Sequence, residues 1–104
     1  MRKITKDIVT AFMRRETRKI GNSRTDGTTL YLHDNAIARW DEEGRLWVTN
    51  AGWKTPTTKE RLNGLPGVEI YQKDFKWYLN GWQWNGQWVR IRAPYRTKFA
   101  DESL

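Results

Sequence analysis

No apolar run in this 104-residue chain exceeds three residues, and nearly every short run ends at residues that turn the backbone. The turn signals are Asp26-Gly27, Asp34-Asn35, Asn63-Gly64, Pro66-Gly67, Lys73-Asp74, Asn80-Gly81 and Asn85-Gly86, with a longer polar turn over residues 41–44. Gly, Asn and Asp tolerate positive φ and Pro fixes φ at about −65°, so these pairs punctuate the chain. Between them apolar and polar side chains alternate, as they do in a half-buried strand. Leu30 and Leu32 fall on one side of residues 28–33, with Thr29, Tyr31 and His33 on the other. Residues 36–40 follow, and in residues 45–49 Leu46 and Val48 oppose Trp47. Further strands are expected over residues 68–72 (Val68 and Ile70 inward) and 75–79 (Phe75, Trp77 and Leu79 inward). In residues 87–92, Trp88, Arg90 and Arg92 share one side and Val89 and Ile91 the other.

Two segments read as helices. Ile4, Ile8, Ala11 and Phe12 recur at helical spacing, which predicts a helix over residues 6–15 capped by Thr5. Thr57-Thr58-Lys59-Glu60 has the form of a capping box, with Thr57 bonding forward and Glu60 reaching back, and Asn63-Gly64 ends the short helix that follows. The expected fold is α+β: a mostly antiparallel, twisted sheet of five to seven strands with an N-terminal helix and a short central helix. One domain over 1–104 is expected, with a folded core over about 5–92 and a basic polar tail over 93–104.

Charge narrows the partners. The formal net charge is +7 and is carried by the ends: residues 1–24 hold eight Lys/Arg against two acids, and residues 87–104 hold four against two. That balance favours nucleic acid, nucleotides or an acidic protein surface, although it also serves solubility. No membrane span and no secretory leader are expected, because no long apolar segment exists. The absence of cysteine excludes disulfides, zinc fingers and thiol catalysis, and agrees with a cytosolic setting.

Catalytic signatures are sparse. The single histidine, His33, lies beside Asp34 near a turn, and one His without Cys makes no common metal site. Ser23 and Ser103 lie outside any nucleophile elbow, and Asp41-Glu42-Glu43 reads as a solvated turn. Asp74-Phe75-Lys76 has the Asp-x-Lys form of some metal-dependent nucleases, without a matching upstream carboxylate. The glycines match neither a P-loop nor a dinucleotide fingerprint. The reading is a protein that is not an enzyme and needs no cofactor and no metal.

Aromatic residues supply the stronger signal. Seven tryptophans are present, and Trp77, Trp82, Trp84 and Trp88 fall within twelve positions that run into arginines. Cations that track phosphates, interleaved with rings on which bases stack, are what a low-specificity single-strand binder needs. Strand alternation puts Tyr31, Trp47, Tyr71 and Tyr78 opposite the apolar side chains, as a candidate stacking set. Trp82, Trp84 and Trp88 are candidates at a sheet edge; the competing reading makes them core. Candidate phosphate contacts are Arg14, Arg15, Arg18, Lys19, Arg24, Arg90, Arg92 and Arg96, with Lys98 beyond them. Trp40, Trp53 and Trp77 are expected in the core. Nucleic acid, single-stranded in preference, is the first partner. The alternatives are an acidic host protein, bound by a counter-defence or host-takeover inhibitor (anti-CRISPR-like or anti-restriction-like), and small anionic nucleotides.

Asn50-Ala51-Gly52-Trp53, then Pro56-Thr57-Thr58-Lys59-Glu60-Arg61-Leu62-Asn63-Gly64-Leu65-Pro66-Gly67-Val68, then Trp77-Tyr78-Leu79-Asn80-Gly81 resemble a family of small tailed-bacteriophage and prophage proteins. Thr25-Asp26-Gly27 and Ile37-Ala38-Arg39 are similar to it too, so the resemblance covers about residues 5–91. It implies a phage origin and action in the host cytoplasm. It carries no assigned activity, and therefore no functional residue. The Trp82-Gln83-Trp84 extension and the arginine-bearing end depart from its pattern.

Overall fold

Alternation and turn chemistry act together to fold the first half of the chain back and forth. The computed structural model describes residues 2–98. Helix α1 (Lys3–Met13) is followed by β1 (Thr17–Ile20), β2 (Ser23–Asp26), β3 (Thr29–Leu32), β4 (Asn35–Trp40) and β5 (Leu46–Val48). Helix α2 (Pro56–Asn63) leads into β6 (Ile70–Lys73), β7 (Lys76–Leu79), β8 (Trp82–Gln83) and β9 (Val89–Ile91). The fold is α+β. Its strands divide between two antiparallel sheets, a six-stranded one of order β1-β2-β3-β4-β5-β9 and a three-stranded one of order β6-β7-β8.

The hairpin turns fall at the expected places, but two are shifted by one residue, from Asp34-Asn35 to His33-Asp34 and from Lys73-Asp74 to Asp74-Phe75. His33-Asp34, Asp74-Phe75 and Asn80-Gly81 each have two consecutive positive φ angles, the geometry that matches strand twist in two-residue hairpins. Phe75 therefore lies in a turn and is 95% exposed, which corrects its expected inward position. The β1–β2 hairpin is not among the strands expected from alternation. Its segments, Thr-Arg-Lys-Ile and Ser-Arg-Thr-Asp, carry no apolar alternation, because β1 is an exposed edge strand and the buried inward residues of β2 are the polar Ser23 and Thr25.

Both helices lie on one side of the large sheet. Ile8, Val9 and Phe12 of α1 meet Leu30, Leu32, Ala38, Leu46, Val48 and Ile91 in one buried cluster with Leu62, Leu65, Val68, Trp77 and Leu79. Phe12 stacks on Trp40 at 5.4 Å, and the Trp40 indole donates to the Phe12 carbonyl, which satisfies its polar atom. The helix starts differ from expectation. Helix α1 begins after Arg2 without a side-chain cap, and Thr5 is buried inside it. Helix α2 is capped by Thr55, whose hydroxyl accepts from the Thr58 N–H, with Pro56 at the first helical position instead of Thr57 at the cap.

Glu60 and Arg61 are diverted into a buried polar network. The Arg61 guanidinium is 1% exposed and donates to Ser23 Oγ at 3.0 Å, Thr5 Oγ1 at 2.6 Å and Glu60 Oε1 at 3.1 Å. The Thr5 hydroxyl also donates to Glu60, so the cluster ties α1, α2 and β2 together. Asn63 grips β6 through its amide, accepting from the Ile70 N–H at 2.7 Å and donating to the Ile70 carbonyl at 2.9 Å.

Residues 93–98, expected as part of a loose tail, continue onto the body. Tyr95 packs edge-on against Trp40, and Lys98 Nζ donates to the carbonyls of Asn63 and Val68. Residues 99–104 of the expected tail lie outside the described residues.

Candidate nucleic-acid interface

One irregularity in β4 builds the site. The β3–β4 register runs Tyr31↔Ala36 and then Leu30↔Ala38, so β4 carries one extra residue. Strict alternation from Ala36 would send Arg39 inward and Trp40 to solvent. The bulge instead buries the adjacent Ile37 and Ala38, returns Arg39 to the side away from the helices and leaves Trp40 in the core.

Pairing then aligns a row across the sheet. Thr29, Arg39, Trp47 and Arg90 are successive partners across β3, β4, β5 and β9, and Lys19, Arg24, Tyr31 and Ala36 form the parallel row across β1 to β4. None of these residues is buried, and the helices contact the sheet from the opposite side. The Arg39 guanidinium carbon lies 5.6 Å from the Trp47 ring and 5.2 Å from the Trp88 ring, within cation–π range of both. Arg24 covers Tyr31 at 3.8 Å and pairs with Asp34 at 3.2 Å. Among the described residues Arg39 and Arg90 have no carboxylate partner.

Trp47 is fixed from behind. Its indole donates to Asp41 Oδ2 at 2.8 Å, and the same carboxylate receives the Arg45 guanidinium at 2.7 Å and the backbone N–H groups of Glu43 and Arg45. Desolvation alone would raise the Asp41 pKa, but these donors prevail and hold it well below the usual carboxylate range. Asp26 is also lowered, chiefly by the N–H groups of Thr28 and Thr29. Asp41 is therefore an anion at neutral pH that orients Trp47.

Beyond Arg90 the surface drops into a cleft of about 560 Å³ between β9 and β8. Trp82, Gln83, Gln87, Arg90 and Arg92 line it, and its lining includes two cations and no acid. Trp82 is 80% exposed there.

The expected site residues therefore separate. Lys19, Arg24, Tyr31, Trp47, Trp88 and Arg90 share the helix-free face, and Trp82 and Arg92 belong to the adjoining cleft. Trp84 is corrected to core: it is 3% exposed, follows the β7–β8 register opposite Trp77 and donates its indole N–H to the Gln87 carbonyl. Trp53, expected inside, is 57% exposed. Tyr71 and Tyr78 do not join Tyr31 and Trp47, because they sit on the small sheet, stacked on each other at 5.2 Å. Arg14 ends α1, Arg15 lies 4.0 Å over Trp40, and Arg18 pairs with the core-facing Thr25, so these three do not reach the aromatic face. Arg96 is exposed after β9. Arg39 was missed; the adjacent apolar pair Ile37-Ala38, which breaks alternation before Trp40, was the signal for it. Among the described residues no group of His, Asp and Glu is arranged to hold a metal ion, and no helix is long and apolar enough to cross a membrane.

A comparison with protein families returns the Kyanoviridae Gp96 protein family, matched over residues 1–99. The chain belongs to that family. It is a phage protein family, in agreement with the phage origin that the resemblance implied. No curated protein and no solved structure matches the chain. Among the residues that carried the resemblance, Thr58, Glu60, Arg61 and Asn63 organise α2, and Asn80 bonds the backbone of Gly67 and Glu69. Asn50 fills the space beside Gly86, where a Cβ would stand 2.2 Å from its Oδ1.

Proposed function

We propose that this phage protein binds nucleic acid with low sequence specificity, as a binding protein and not an enzyme, in the host cytoplasm. The strand crosses the helix-free face of the large sheet, and single strands are preferred because their bases are free to stack. The observation that carries this reading is Arg39 within cation–π range of both Trp47 and Trp88, with Arg90 paired across from Trp47, two cations that have no carboxylate partner among the described residues. Bases stack on the exposed rings at ~1–3 kcal/mol each, and Arg39, Arg90, Arg24 and Lys19 neutralise phosphates. From β2 to β9 the crossing is about 19 Å at ~4.8 Å per strand, a span for a short stretch of nucleic-acid strand. The cleft with Trp82 and Arg92 continues the path.

Tryptophan fluorescence titrated with a short single strand and with a duplex, at low and moderate salt, tests this. Micromolar quenching that weakens steeply with salt is the expected result, and silence toward both ligands at low salt rejects it. A second reading, an inhibitor that docks on an acidic host protein, is supported by the exposure of Trp82 and Trp88, since Trp and Arg are the types that anchor protein interfaces. Capture of a host protein that low-salt nucleic acid fails to displace would favour it. The acid-free cleft also suits a small anionic nucleotide, and saturable mononucleotide quenching without oligonucleotide binding would favour that reading.

A further inference from the structure

The β6–β7 hairpin ends in three choices that all work against stability. Its two-residue turn has φ +52° at Asp74 and +65° at Phe75, a geometry for which Asn-Gly is suited and a bulky aromatic is not. The same chain uses Asn80-Gly81 for the next hairpin, at φ +51° and +89°. Phe75 is also 95% exposed, so its ring gains nothing from the core. Lys73 and Lys76 are direct cross-strand partners, and like charges in that position repel.

One purpose reconciles the three. On the exposed face of the hairpin the Tyr71–Tyr78 stacked pair comes first, the Lys73–Lys76 pair next, and Phe75 at the tip. The opposite face is anchored by buried Ile70, Trp77 and Leu79, and the base is held by the Asn63 and Asn80 side chains. We propose that this hairpin is a wedge: Phe75 inserts between stacked bases of a nucleic acid while Lys73 and Lys76 take the flanking phosphates. An apolar ring that enters a base step and partly unstacks it is an established way for proteins to distort nucleic acid. A protein pocket is a poorer match. Closing one over Phe75 would desolvate two lysines, a residue type depleted from protein interfaces, whereas phosphates on either side of a base step neutralise both.

This inference rests on the nucleic-acid reading and is separable from it. The test uses a single strand and a duplex, each with a central 2-aminopurine, whose fluorescence rises when it is unstacked; binding is followed in parallel by anisotropy of an end label. The wild-type chain is expected to raise 2-aminopurine fluorescence at saturation. Phe75→Gly should bind within about threefold of wild type, because the large-sheet face is intact, and should lose most of the rise. The glycine relieves the positive φ, so its melting temperature should be no lower than wild type, which verifies folding. Binding by wild type without any rise, or an equal rise with Phe75→Gly, overturns the wedge alone. Absence of binding to both oligonucleotides overturns the wedge and the nucleic-acid reading together.

Discussion

Ile37 and Ala38 are neighbours in a strand and are both buried, which alternation forbids without an extra residue. Strict alternation from Ala36 would therefore misplace Arg39, whereas Trp40, expected in the core, is found there. The tryptophans divide for similar local reasons: Trp84 inherits the inward side from Trp77 through the hairpin register, whereas Trp82 begins an edge strand. Composition shows that rings are abundant but cannot show which of them have a partner across a strand. Two predictions belong here. Gly86 has φ +93° and packs on Asn50, so Gly86→Ala should lose about 2–4 kcal/mol in denaturant unfolding through strain and overlap together. Asp41→Asn should lower the melting temperature at neutral pH and blunt the difference between Trp47 and free indole emission. Because the folded pKa of Asp41 is depressed, its contribution is complete above the unfolded carboxylate value of about 4 and fades as pH falls through the folded one. The gap in melting temperature between wild type and Asp41→Asn should therefore close under strongly acidic conditions.

At the level of elements, turns were the legible part. Every paired turn signal in the meander marks a real reversal, because positive φ is a local demand that few residues meet. Helix starts were less legible. Thr57-x-x-Glu60 satisfies the capping-box pattern, yet Arg61 and Thr5 claim the Glu60 carboxylate, and the cap moves to Thr55. Thr55→Ala should therefore cost about 1 kcal/mol in chemical denaturation and Thr57→Ala distinctly less; the reverse order would restore the capping-box start. The network that displaced it joins residues 5, 23, 60 and 61, and no local pattern reports such distant partners. Arg61→Ala leaves the Glu60 carboxylate without its cation, so a loss of about 3–5 kcal/mol is expected, detectable as a lower denaturant midpoint.

For the whole molecule, the charge asymmetry visible in the sequence is real, but its surfaces are not those of the sequence blocks. The cations of α1 and the start of β1 divide: Lys19 faces the aromatic side, whereas Arg15 and Arg18 lie on the helix side. Arg39→Ala combined with Arg90→Ala should weaken binding of a single strand and reduce the slope of log K against log salt by about 1.4, since two phosphate contacts at about 0.7 each are lost. Arg18→Ala should leave affinity within twofold in the same titration. The meander β1 to β5 is assembled from hairpins, but β5 closes against β9 only through pairs such as Leu46↔Ile91, more than forty positions apart. Local pairings form early and distant ones late. On a ribosome, the Leu46-Trp47-Val48 edge is therefore complete while its final partner is still being synthesised. During that interval the growing chain presents an open, half-apolar strand that any extended segment nearby can join, and the arrival of Val89–Ile91 ends that exposure.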